Sequence, residues 1–251
     1  MKTHFTHEYL LNPRHRVTVN LIGAGGTGSQ VIGGLARIDY ALYKLGHFGL
    51  NVTIYDDDVV TEANIGRQLF SSSDIGRSKA EVLATRINTF YGLDWKAIPE
   101  RYSGDSPANI IITCVDNAAS RIKIGKKLRE CRGGYDETLL LYWLDFGNQV
   151  DRGQVVLGTF SPITQPKSEQ TQTVKTLKCV DKLFKLSKVK DEDSGPSCSL
   201  AEALSKQDLF INSCIAQIGC DLLWKLFREG CVTNQGAYIS LKNMIVNPIR
   251  L

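Results

Sequence analysis

The 251-residue sequence has no apolar run approaching the roughly 20 residues that a membrane-crossing helix needs, and Leu139 to Leu144 reads as a buried strand instead. Met1 to Arg16 mixes His, Lys, Arg and Glu without an apolar centre, which argues against a secretory leader. A strong charge of either sign is missing too. The net charge of +4 is small and spread along the chain, too little to imply nucleic-acid binding. Seven cysteines make an odd count, with no compact disulfide framework and no export signal, so reduced thiols in a cytoplasm are expected. The histidines show no metal-ligand spacing, and nothing repeats internally. What is present, 43% hydrophobic and 22% charged residues, suits an ordinary globular protein with a sizeable core. The length fits a single α/β domain with one elaborated subregion.

Val17 to Ile22 is a β-branched, apolar run that ends in Gly23-Ala24-Gly25-Gly26-Thr27-Gly28. Helical spacing follows over Val31 to Leu45, then a second strand, Leu50 to Tyr55, stopped by Asp56-Asp57-Asp58. Strand, glycine turn, helix and strand make a βαβ unit. Ser78 to Phe90 reads as a helix. Asn109 to Val115 and Leu139 to Phe146 read as buried strands around a basic helix, Ala118 to Arg129. This alternation predicts an α/β fold with a doubly wound, mainly parallel, Rossmann-like sheet. Period-two alternation over Gly147 to Phe160 predicts an antiparallel extension. Ser161 to Ser199 is polar, without a clear period and too long for an idle connection, so it is either functional or disordered. Leu209 to Phe227 is a helix apolar on more than one face, with small Ala216 and Gly219 beside larger residues, which predicts burial in this chain or against a second copy. Ala237 to Val246 reads as a last strand.

Gly23, Gly25 and Gly28 form G-x-G-x-x-G between a strand and a helix. The first glycine permits the turn, the second lets phosphates approach the backbone, and the third allows close helix packing. Free N–H groups of the helix N-terminus then meet the anion. Asp56 closes the next strand, where a carboxylate accepts hydrogen bonds from ribose hydroxyls. The bland alternative is a glycine turn that merely packs tightly. The motif alone does not choose between NAD and ATP.

The sequence continues with Asp56-Asp57-Asp58, Asn64-Ile65-Gly66-Arg67-Gln68, Asp74-Ile75-Gly76-Arg77-Ser78-Lys79 and Cys114-Val115-Asp116-Asn117, followed by Arg121. With the glycine loop, these five motifs in order resemble the ThiF/MoeB/ubiquitin-activating family of adenylyltransferases over roughly Val17 to Asp151. The N-terminal half resembles most closely the ThiF-related proteins of the PRTRC cassette, a gene set of bacterial mobile elements. The resemblance implies an ATP- and Mg²⁺-using enzyme that converts the C-terminal carboxylate of a ubiquitin-like or sulfur-carrier protein into an acyl-adenylate. It places Gly26 beside the other loop glycines and Gln68, Asp58 and Asn117 in the nucleotide's polar surroundings. It makes Arg67 and Lys79 neutralisers of phosphate charge, Asn64 a donor to phosphate, and Asp116 the holder of the metal. Adenylation gathers several negative charges, so positioning and electrostatic neutralisation are what its catalysis requires. Asp116 ends a strand, where open α/β sheets bind ligands, and Mg²⁺ suits one or two carboxylates plus phosphate oxygens. The bland alternatives are solvated surface charges for Arg67 and Lys79, and a helix cap for Asp116-Asn117.

Many relatives carry two C-x-x-C pairs for structural zinc, and this sequence has none. Cys214 and Cys220, about 120° apart on a helix, make a poor ligand pair. Some relatives take the activated partner as a thioester on a loop cysteine. Cys198, at the end of the polar stretch and at a predicted helix start that favours thiolate, is the candidate here, with Cys179 second. Cys114, within a strand, reads as a small buried hydrophobe. Family dimers often lend an arginine from just before the first strand, the region of Arg14 and Arg16. The expectation is therefore a homodimeric cytoplasmic adenylyltransferase with one ThiF-type domain over 1–251. Its nucleotide-binding core falls at about 14–150, its polar loop at about 161–199, and its C-terminal helix and strand at about 200–251. An NAD(P)-dependent oxidoreductase and a non-catalytic nucleotide-binding scaffold are the competing readings.

Overall fold

The computed structural model describes residues 2–131, 138–188 and 207–251. In chain order the strands are β1 (Lys2–Phe5), β2 (Val17–Ile22), β3 (Leu50–Tyr55), β4 (Lys96–Ile98), β5 (Ile110–Thr113) and β6 (Tyr142–Asn148). β7 (Arg152–Thr159), β8 (Gln172–Thr173), β9 (Cys231–Val232), β10 (Asn234–Ser240) and β11 (Ile245–Arg250) follow. The helices are α1 (Glu8–Leu11), α2 (Gly26–Lys44), α3 (Lys79–Tyr91), α4 (Ala118–Glu130), α5 (Val180–Leu183) and α6 (Ile211–Arg228).

The strands expected from the sequence, joined by an unexpected β4, assemble into one eight-stranded sheet, ordered β11-β10-β7-β6-β5-β2-β3-β4. β6, β5, β2, β3 and β4 run parallel, and β7, β10 and β11 extend the sheet antiparallel. Strand period divides the core between the two faces. Ile110 and Ile112 join the cluster under α2, α3 and α6, whereas Ile111 points to the cluster under α4 and α5. Tyr142, Leu144 and Phe146 against Trp143, and Val155 and Leu157 against Val156, divide the same way. Because β2 lies between β3 and β5, the chain leaves it towards one edge and later returns on the other side. The C-terminal ends of β2 and β5 thus mark the switch point, where an α/β sheet opens a crevice for ligands.

Several expectations need correction. α2 starts within the glycine motif, ahead of the apolar spacing that predicts it from Val31. The N-terminal stretch contributes β1, which pairs in parallel with β8 and antiparallel with β9, a small second sheet without a local signature. The single strand expected over Ala237 to Val246 is a hairpin. Met244 N–H donates to Leu241 O at 3.0 Å, and Met244 has φ of 51°. Apolar Leu241 and Met244 hide that turn from a periodicity reading. Of the polar stretch, residues 161–188 are neither idle nor loose: Ile163, Leu177, Cys179 and Val180 are buried, and β8 and α5 lie here. The remainder, 189–199, lies outside the described residues. The apolar faces of α6 are covered within this chain by α2 and by strands β6, β7 and β10. Phe146 packs where a side chain on Gly219 would sit. The breadth of its apolar surface therefore reflects burial between helix and sheet, and gives no ground for an interface on α6. Among the described residues no helix is long and apolar enough to cross a membrane.

Candidate active site

The glycine loop is shaped by its own backbone. Gly23 takes φ of 94°, a left-handed conformation open to glycine, and donates to Tyr55 O at 2.8 Å. A Cβ on Gly23 would meet Cys114 O at 2.8 Å, and one on Gly28 would lie 1.8 Å from Gly23 O. β2, the start of α2 and the end of β5 approach so closely that only hydrogen fits at these two positions. Gly25 is different: a Cβ there would meet nothing within 4 Å. It is the N-cap of α2 and supplies no side-chain acceptor. The first-turn N–H groups of α2 thus lack a side-chain cap and present the positive end of the helix dipole beside open space.

Asp56 is fastened to this loop. Its Oδ2 accepts from Ala24 N–H at 2.6 Å and its Oδ1 from Asp58 N–H at 2.9 Å. Burial pushes its carboxyl above the usual carboxylate range, against the pull of those two bonds. Asp58 Oδ2 accepts from Lys79 Nζ at 2.8 Å, and Lys79 is buried while Asp58 is largely exposed. The two halves of the motif region are clasped by backbone: Lys79 N–H donates to Asp58 O at 3.1 Å and Val60 N–H to Arg77 O at 2.9 Å. Ser78 caps α3 and so sets Lys79 in its first turn.

Asn64 is buried in a 3-10 turn and uses its Oδ1 to accept from Thr61 N–H at 2.8 Å. Gln68 N–H donates to Asn64 O at 2.9 Å, and Leu69 N–H donates to Ser29 Oγ at 3.3 Å, which lays this segment against the first turns of α2. Two buried polar atoms here have no hydrogen-bond partner, Arg67 Nε and Gln68 Oε1. Burial also lowers the Arg67 guanidinium from its ordinary value. Asp116 follows β5, is exposed, and accepts from Asn117 Nδ2 at 2.8 Å. Asn117 caps α4 by accepting from Ser120 N–H at 2.7 Å, so the capping role falls on Asn117 and leaves Asp116 open to solvent.

The chain belongs to the ThiF family. Residues 6–228 match the ThiF family model. This ThiF-family chain is 38% identical over 72 residues to the NEDD8-activating enzyme E1 catalytic subunit of Dictyostelium discoideum, a match covering 28% of this chain and 14% of that protein. Its fold is similar to that of PaaA, solved in selenomethionine form, with TM-score 0.58, 15% identity, and coverage of 96% of this chain and 65% of that one. It is also similar to E. coli MccB solved with MccA, with TM-score 0.57, 16% identity, and coverage of 97% and 65%. The chain thus spans just under two thirds of the solved relatives it resembles and a seventh of the curated one.

Other candidates fall elsewhere in the ThiF-family chain. Cys198 lies outside the described residues. Cys179 is unsuited to accept an acyl group: it is buried, its thiol donates to Thr159 O at 3.4 Å, and burial pushes that thiol up to about 12. Cys114 lies just past β5 and not within it, and burial raises its thiol as well. Arg16 is exposed and pairs with Asp94 at 2.6 Å, and Arg14 is exposed. Arg121 turns inward: it pairs with buried Asp145 at 3.0 Å and donates to Val115 O at 2.6 Å and Phe146 O at 2.7 Å. Sequence reasoning missed Asp145, although an aspartate inside the run Tyr142-Trp143-Leu144-Asp145-Phe146 is itself a signal that a buried cation faces it. Thr27, Asn148, Gln207 and Asn212 were missed as well, and their spacing carries no signal.

Proposed function

We propose that this ThiF-family protein is an ATP-dependent adenylyltransferase that activates the C-terminal carboxylate of a ubiquitin-like or sulfur-carrier partner. One observation carries the reading. Around an uncapped helix N-terminus with free space at Gly25 stand a clasped Lys79 and a half-buried Arg67 whose Nε has no partner. A nicotinamide enzyme has no use for that gathering of positive charge beside the loop, and a scaffold has no reason to keep it. In the proposed reaction a carboxylate oxygen attacks the α-phosphorus of ATP, forming the acyl–phosphate bond as the bond to pyrophosphate breaks.

The backbone of the glycine loop and the first turn of α2 bind the phosphates. Asp56 holds the ribose by the remaining acceptor capacity of its half-buried carboxylate, while Asn64 and Gln68 supply further hydrogen bonds. Lys79 and Arg67 stabilise the charge that builds on the phosphates and on the departing pyrophosphate. Asp116 suits Mg²⁺, since it is a solvent-facing carboxylate with few internal partners at the end of a central strand. The ion supplies further charge neutralisation when bound. A homodimer and the PRTRC subgroup remain part of the proposal on resemblance alone; in a further step the Cys198 thiol attacks the acyl-adenylate carbonyl, forming a thioester as the acyl–phosphate bond breaks and AMP leaves.

The test is ATP–pyrophosphate exchange with small proteins from the same gene neighbourhood as carboxylate donors. Wild-type protein should catalyse exchange, and Asp116→Ala should abolish it with an unchanged melting curve. Near wild-type exchange in Asp116→Ala would refute the site assignment. In the same reactions a non-reducing gel should reveal a reductant-sensitive adduct that Cys198→Ala lacks. An adduct that survives Cys198→Ala removes that cysteine from the proposal.

A further inference from the structure

The first turn of α6 carries Asn212, which is 2% exposed and hydrogen-bonds through both its amide oxygen and its amide nitrogen. Its Oδ1 accepts from Thr27 Oγ1 at 2.9 Å and from Asn148 Nδ2 at 2.6 Å. Its Nδ2 donates to Gln207 Oε1 at 2.9 Å. The same Gln207 oxygen accepts from an Arg67 terminal nitrogen at 2.9 Å. A relay of side chains thus joins the helix turn of the glycine loop, the end of β6 and Arg67. The fit at the loop is close: a Cβ on Gly26 would lie 2.7 Å from the Asn212 amide.

The chemistry of the partner at Arg67 is informative. A carboxylate there would hold the guanidinium as well, but it would cancel the positive charge and compete with any anion. A carbonyl oxygen fixes one corner of the planar fork and leaves the charge intact. The fork keeps a buried, unpartnered Nε. Among the described residues no carboxylate pairs with this cation, and its desolvation costs free energy that binding of an anion relieves.

We infer that Gln207, held in place by Asn212, is a positioning residue that fixes the Arg67 guanidinium beside the glycine loop and preserves its charge for the polyphosphate of a nucleotide. This rests on the reading of Arg67 as a phosphate ligand. Asn212 ties that position to Thr27, so Arg67 and the loop keep one mutual geometry.

Calorimetric titration of the full chain tests it, with ATP and inorganic tripolyphosphate as separate probes. Gln207→Ala should weaken both by about tenfold, the scale of one hydrogen bond to a charged group. Gln207→Glu keeps the size and the acceptor but neutralises Arg67, and should weaken both at least as much. That variant also serves if Gln207→Ala melts early. In an Arg67→Ala background, Gln207→Ala should have no further effect, because the glutamine acts only through the arginine. Wild-type affinity in both Gln207 variants, or an additive loss in the double variant, would overturn the inference while leaving the ATP reading intact. Binding of tripolyphosphate but not ATP by wild type would overturn the nucleotide reading and leave the positioning role standing. Binding of neither probe would overturn both.

Discussion

The glycine-loop half and the C-terminal half share one sheet but are held together differently. From Val17 to Lys79 the contacts that shape the site are mostly local: Asp56 bonds to Ala24, Asp58 to Lys79, and Asn64 to Thr61. From Tyr142 onward they span the chain. Asn212 reaches Thr27, Gln207 reaches Arg67, and β10 pairs with β7. The local half places chemical groups by motif spacing, and the distant half sets how firmly they stand. Apart from Asp116, the charged residues of the proposed chemistry sit in the first, whereas the neutral amides that align them sit in the second.

Five substitutions sharpen that contrast. The largest expected effect is at Asp145, which ties the second half to Arg121 of α4. Asp145→Ala leaves Arg121 buried with its charge unmatched and should cost about 3–5 kcal/mol in urea unfolding. A loss below about 1 kcal/mol would show that the carbonyls of Val115 and Phe146 suffice for Arg121. Next come Lys79→Ala and Arg67→Ala, each expected to lower pyrophosphate exchange by about 10²–10³-fold with little change in melting temperature. If the rate falls only in step with unfolding, the local half is merely structural and the division fails. The smallest effect is a contrast of two glycines. Gly28→Ala should destabilise by about 1–3 kcal/mol because its methyl would overlap Gly23 O, whereas Gly25→Ala should stay within about 0.5 kcal/mol. Gly25→Ala should instead weaken ATP binding, because its methyl would stand in the open space beside the helix N-terminus. Equal stability losses at the two positions would refute the open cradle.

The same division explains what the sequence disclosed. β2, β3, β5 and β6 of the parallel core were legible because each is a short, largely apolar run with its own turn punctuation, whereas three-residue β4 offered no such run. Asp56, Asn64, Arg67, Lys79 and Asp116 were legible because they fall in spaced motifs that resemble a family. β1 was not, since Lys2–Phe5 is polar in part and becomes a strand only by pairing with residues far away. The hairpin turn after Ser240 was hidden by apolar neighbours. α6 invited an intermolecular reading because periodicity reports that a face is apolar but not what covers it. Gln207 and Asn212 were beyond reach for a related reason: a neutral amide on a polar stretch acquires meaning only from the donor that tertiary folding brings to it.

The small sheet has a consequence for how the protein is made. β1 pairs with Gln172–Thr173 on one side and with Cys231–Val232 on the other. On the ribosome, Lys2–Phe5 emerges well ahead of its second neighbour, which is added more than two hundred residues later. At a synthesis rate of about 5–20 residues per second, that strand waits on the order of ten seconds or more with open edges. The parallel βαβ core can assemble meanwhile, but closure of the small sheet, and with it the docking of the segment that leads into α1, is postponed until Cys231–Val232 has left the exit tunnel.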